Sequence, residues 1–216
     1  MKTTGIVAAL ILSLSLLMAG NVRGDELSES YFPLKAGMRW EYNVMSGQGG
    51  PQKLIITNLA PREVNGVKVT PRKWEMGGAN FIELMEKDNS GIYRYAEQGA
   101  ENQPPVMITP KEYHLKFPVT QGSSWNMTTR LDNITVKVSL TVESVSDEVT
   151  VPAGTFKDCL EIKQVGENAA GASVLAYEWY APGVGIVKSM ATIKKKSPEG
   201  KITTETRTYQ LLSFQR

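Results

Sequence analysis

The chain repeats one phrase: Phe32-Pro-Leu-Lys-Ala-Gly-Met-Arg-Trp40 and Phe117-Pro-Val-Thr-Gln-Gly-Ser-Ser-Trp125. Phe, Pro, Gly and Trp recur at matching places 85 residues apart. Proline fixes an extended approach, glycine permits a bend, and tryptophan starts burial on the strand that follows. Each phrase opens a series of alternating strands, so the chain is read as two tandem related β units.

The first unit supplies Met38, Trp40, Tyr42 and Val44 in one phase, against Arg39, Glu41 and Asn43 in the other. That is the pattern of a half-buried strand. Lys53–Thr57, Val67–Thr70, Phe81–Met85 and Ile92–Tyr95 continue it, with turns at Asn65-Gly66 and Asp88-Asn-Ser-Gly91. In the second unit Ile134, Val136, Val138, Leu140 and Val142 alternate with polar residues. Val151-Pro-Ala-Gly-Thr-Phe156 takes the place of Asn65-Gly-Val67, and Gly185-Ile-Val-Lys188 answers Gly91-Ile-Tyr-Arg94. A long hairpin follows, from Met190 to Lys196 and back from Ile202 to Phe214. No stretch after the leader has a helical period of useful length, and residues 96–111, with three prolines, read as a link.

The expected fold is therefore all-β: a strongly curved antiparallel sheet, or an open barrel or sandwich. The expected division is a signal peptide over 1–24, a first β unit with its linker over 25–110, and a second unit with the terminal hairpin over 111–216. The two units could also form one continuous domain. The leader combines Lys2, the apolar run Ile6–Ala19 and small residues at Ala19, Gly20 and Gly24, which is a secretory pattern. It is short for a membrane span, and no later segment is apolar enough to be one. Removing 1–24 takes away Lys2 and Arg23 and no acid, so the basic residues fall from 24 to 22 against 22 acids. A balanced charge gives no reason to expect nucleic acid. A periplasmic or secreted location is expected.

Chemistry is sparse. The single His114 and single Cys159 have no local orienting partner or nucleophile turn, and no His/Cys cluster has metal spacing. No cofactor or metal is expected. Strict alternation places Cys159 with Lys157 and Glu161, opposite Phe156, Leu160 and Ile162, unless a bulge shifts the phase. Asp158, Glu161 and Glu178 are acids within strands, and Glu161 with Glu178 could form a carboxylate pair for hydrolysis if they converged in a cleft. Lys194-Lys-Lys196 reads as a solvated hairpin tip. Asn126-Met-Thr and Asn133-Ile-Thr match a glycosylation acceptor pattern that matters only in a eukaryotic secretory route. The aromatic residues Trp74, Tyr93, Tyr95, Tyr177, Trp179 and Tyr180 fall in the central strands. If the sheet curls without a helix to fill it, they are the candidate lining of an apolar concavity.

The phrases Tyr31-Phe-Pro-Leu-Lys-x-Gly-x-x-Trp40-x-Tyr, Val151-Pro-Ala-Gly-Thr-Phe-Lys-Asp-Cys159 and Trp179-Tyr-Ala-Pro-Gly-Val-Gly-Ile-Val-Lys188 resemble those of a group of exported bacterial proteins of unknown function. That resemblance implies a bacterial origin and a place outside the cytoplasm, and it brings no catalytic residue or substrate. The curved sheet is more loosely similar to periplasmic lipoprotein carriers, whose concave face is closed by helices that this sequence lacks. The reading is a non-catalytic cell-envelope protein that binds an apolar small molecule or an envelope protein. A carboxylate-dependent hydrolase and a purely structural scaffold are the alternatives. The oligomeric state is left open.

Overall fold

The computed structural model describes residues 26–47, 49–99, 101–131, 134–196 and 200–216. The signal-peptide reading of 1–24, Asn133 and residues 197–199 of the hairpin tip lie outside the described residues. A single helical turn at 26–30 precedes thirteen strands. The first seven are β1 (Arg39–Ser46), β2 (Gln52–Asn58), β3 (Arg62–Val64), β4 (Val67–Met76), β5 (Ala79–Asp88), β6 (Gly91–Gln98) and β7 (Val106–Lys116). The rest are β8 (Ser124–Leu131), β9 (Ile134–Val151), β10 (Gly154–Glu167), β11 (Ser173–Ala181), β12 (Gly185–Lys196) and β13 (Ile202–Gln215).

All pairing is antiparallel, in the order β7-β6-β5-β4-β2-β1-β13-β12-β11-β10-β9-β8, with β3 attached to β4 off that path. The order is one six-strand meander written backwards, followed by a second. The two meanders join through the β1–β13 ladder, which runs from Arg39↔Gln215 to Ser46↔Arg207. The equivalent junction, β7 beside β8, has no ladder among the described residues. Side chains bridge it instead. Trp125 Nε1 donates to Tyr113 O at 2.7 Å, and Met85, Ile92 and Leu115 share one core with Trp125, Val136 and Val138. The result is a curved, nearly closed antiparallel barrel.

The repeated phrase builds the same corner twice. Gly37 and Gly122 both have positive φ, 84° and 83°. Gly37 N donates to Asn58 O while Asn58 N donates to Met38 O. Gly122 N donates to Val142 O while Val142 N donates to Ser123 O. Trp40 and Trp125, each starting its strand, are both buried.

Alternation predicted the inward residues of the clearest strands. Trp40, Tyr42 and Val44 of β1 and Val136, Val138, Leu140 and Val142 of β9 are all buried. One reading changes, and one left open is decided. Of residues 96–111, read as a link, 96–98 belong to β6 and 106–111 to β7. Its Pro110 is tolerated because it sits where the β6–β7 ladder breaks register between Met107 and Glu112, so no paired residue of β6 faces its missing N–H. Cys159 is turned inward and fully buried, because register shifts on both sides of it and Asp158 at φ 53° form a bulge.

The segment 28–37 crosses one end of the barrel. Ser28 Oγ accepts from Val119 N, Ser30 O accepts from Gly183 N, and the Tyr31 hydroxyl donates to Asp158 O. Asn58 Nδ2 reaches Pro33 O and Lys35 O. Phe32 is buried beneath this strap. One end is thus tied shut from β2, from β10, and from the turns before β8 and β12.

Candidate functional site

Away from the strap, the interior is hollow. A cavity of about 280 Å³ is walled by inward residues of β1, β2 and β4 on one side and β10–β13 on the other. Register explains the hollow. Glu178, Ser189, Tyr209 and Val44 lie in one cross-strand row, and Ala176, Ala191, Arg207 and Ser46 in the next. Three of the four β11 and β12 positions in these rows are Ala or Ser, so the wall recedes where Leu54, Ile56 and Trp74 face it. The cavity runs toward the β1–β2 turn and the β12–β13 hairpin, where a hollow of about 450 Å³ shares Ile193 with it.

Between cavity and strap the space is filled. Arg72, buried, stacks its guanidinium 4.9 Å from the Phe32 ring and 4.6 Å from the Trp40 ring, and a terminal nitrogen donates to Asn58 Oδ1 at 3.4 Å. Buried Glu83 accepts from Trp74 Nε1 at 2.8 Å and meets Arg94 at 3.5 Å. Arg94 also reaches Glu97 at 2.5 Å and Glu112 at 3.1 Å. His114 packs against Phe32, and burial with the nearby Arg94 and Arg72 charges pushes its pKa down to about 3. It is held neutral.

Glu178 is the acid of the cavity. Its remaining exposure opens into the cavity, yet burial raises its pKa, while hydrogen bonds from Tyr180 and Gln164 pull it back and Glu83 raises it further. The Tyr180 hydroxyl donates to it at 2.5 Å. Arg207, the other charged lining residue, is held by Glu205. Among the described residues no group of three or more His, Cys, Asp or Glu side chains is placed to hold a metal ion.

The six aromatic candidates are dispersed. Trp74 lines the cavity, and Tyr180 lies beside it as the partner of Glu178. Tyr177 and Trp179 alternate with Ala176 and Glu178, so they occupy the opposite face of the sheet. There they stack on each other, and Trp179 Nε1 donates to Asp147. Tyr95 packs in a small separate core with Val64 and Val67, and its hydroxyl donates to Val64 O. Tyr93 is buried against Tyr113 and hydrogen-bonded to Glu86. Unpaired sequence phases cannot tell inner from outer aromatics, because both faces of β11 carry them. Tyr42, Tyr209, Ala176, Ala191 and Glu178 emerge as lining only through cross-strand register. Glu161 and Glu178 do not converge: Glu161 pairs with Trp179, on the face away from Glu178, so the two carboxylates are separated by the sheet. Cys159 is unsuited to nucleophilic work, since burial and the charges of Asp147 and Asp158 raise its thiol to about 11.

A family model described as DUF3108-like matches residues 104–203. No curated protein matches the chain. Two solved structures are similar in outline. One, from Bacteroides fragilis, is described as an exported protein with a YmcC-like fold: 16% identity, TM-score 0.45, covering 86% of this chain and 98% of that one. The other, from Parabacteroides distasonis, is described as a lipoprotein: 13% identity, TM-score 0.41, with coverage of 86% and 98%.

Proposed function

We propose that this is an exported, non-catalytic binding protein that holds a small, largely apolar ligand in the open end of its barrel. The secretory pattern of 1–24 supports export. The observation that carries the binding reading is the cavity itself: one end of the barrel is strapped shut and packed, while the other keeps about 280 Å³ lined by Leu54, Ile56, Val174, Ile186 and Ile193. Apolar walls with a few fixed polar groups are the usual make-up of a ligand site. The absence of catalysis is supported by the separation of Glu161 from Glu178, the buried thiol and the neutral, packed His114.

An envelope protein as partner is a second reading, and an outer patch favours it. Val165 and Leu175, opposite one another on β10 and β11, are 49% and 41% exposed, next to the Tyr177–Met190 pair. Native mass spectrometry of protein purified from its own envelope separates the two. The ligand reading expects a bound mass of a few hundred daltons or less, and a bare chain would refute it. A stoichiometric protein adduct without a small molecule would favour the patch.

A further inference from the structure

The two charged side chains of the cavity are in different states. Arg207 donates to Glu205 through Nε at 2.5 Å and through a terminal nitrogen at 3.2 Å, so its charge is already met. Glu178 receives a neutral hydroxyl from Tyr180, and among the described residues no Lys, Arg or His pairs with it. A carboxylate has room for about four hydrogen bonds. Glu178 therefore keeps accepting capacity on the side that faces the cavity. Tyr42, Trp74 and Tyr209 line the same space. Aromatic rings attract a cation within about 6 Å, through the negative potential of their faces. An inward carboxylate without a counter-charge is half of an ion pair.

Arg72 does not supply the missing charge. Its guanidinium is held between Phe32 and Trp40, with Asn58, Tyr42, Glu83 and Tyr180 as its polar neighbours, and Arg72 is not among the charges that act on Glu178. We infer that the cavity takes an amphipathic organic cation, its ammonium head against Glu178 and its apolar body along Leu54, Ile56 and Ile193. This rests on the ligand reading above and narrows it to one chemical class. The size agrees: 280 Å³ lies just below the roughly 300–1,000 Å³ of drug-sized sites, which suits a head with a short chain or one ring. The electrostatics agree as well. Burial lifts the Glu178 carboxyl, and a bound ammonium would favour its ionised form as the Tyr180 and Gln164 donors do.

Three probes of equal chain length test the inference: octylamine, octanol and octanoate, titrated calorimetrically into the full chain at neutral pH. Octylamine should bind at least about tenfold tighter than octanoate, a difference of about 1.4 kcal/mol. Glu178→Gln, checked for folding by circular dichroism, should bring the two within about threefold by weakening the amine. If that variant does not fold, the ratio on the unaltered chain decides alone. Octanoate or octanol binding as tightly as octylamine, or an unchanged preference in Glu178→Gln, overturns the cation and leaves the cavity reading standing. If none of the three binds, both readings fall.

Discussion

At the strapped end of the barrel, inward positions carry Phe32, Trp40, Arg72 and Glu83, and every large side chain has a packing or hydrogen-bonding partner. At the open end, β11 and β12 offer Ala176, Ser189 and Ala191 to the same interior and leave it hollow. The barrel wall is continuous between them, so the difference comes from side-chain volume and from residues 28–37. Packed interiors tolerate little change in volume, whereas a lined hollow tolerates change and loses function instead. Substitutions at the two ends should therefore fail in different assays.

The largest effect is expected at Arg72. Arg72→Ala removes the stack between two rings and leaves Glu83 buried with less positive charge nearby, which should cost about 3–5 kcal/mol in denaturant unfolding. Arg72→Met keeps the packing volume and should cost less than half of that. Equal losses would mean that the charge, not the packing, holds this end together.

His114 comes next. Its folded pKa is depressed from 6.5 to about 3, so its contribution is fully present above pH 6.5 and is lost as the pH falls toward 3. Between pH 7 and pH 4 the loss should be on the order of 2–3 kcal/mol, and His114→Phe should flatten that part of the profile. An unchanged acid slope in the variant would show that other groups govern acid unfolding.

At the open end the stability effects shrink. Glu178 has its folded pKa raised, so it contributes stability below its unfolded value of 4.5 that is lost as the pH rises through the folded pKa. Glu178→Gln removes that loss and should leave the protein unchanged or stabilised by ~0–1 kcal/mol at pH 7. Ala191→Leu, which extends into the cavity, should shift stability by less than about 1 kcal/mol in either direction. A loss above about 3 kcal/mol at either position would mean that this end is packed like the other.

Much of the architecture was legible in the sequence because its signals are local. Period-two burial marked β1 and β9, Asn65-Gly66 and Gly91 marked turns, and the doubled Phe-Pro and Gly-x-x-Trp phrases located two equivalent corners. β7 was hidden by Pro110, which is harmless where the β6–β7 ladder breaks register, and that is a property of strand pairing. Alternation left the face of Cys159 open, and the bulge at Asp158 decides it for burial. Most of the site was out of reach for the same reason. Trp74 and Tyr180 were singled out with four aromatics that lie away from the cavity. Ala176, Ser189 and Ala191 carry no chemical signal until register lines them up opposite Leu54 and Ile56.

The central claim is that the hollow end is kept open for a ligand. Native mass spectrometry of the envelope-purified protein, beside the Ala176→Leu/Ala191→Leu double variant prepared in the same way, tests it most directly. A small bound mass is expected on the unaltered chain, and none on a folded variant whose cavity is filled. The same bound mass on both, or on neither, would contradict the claim.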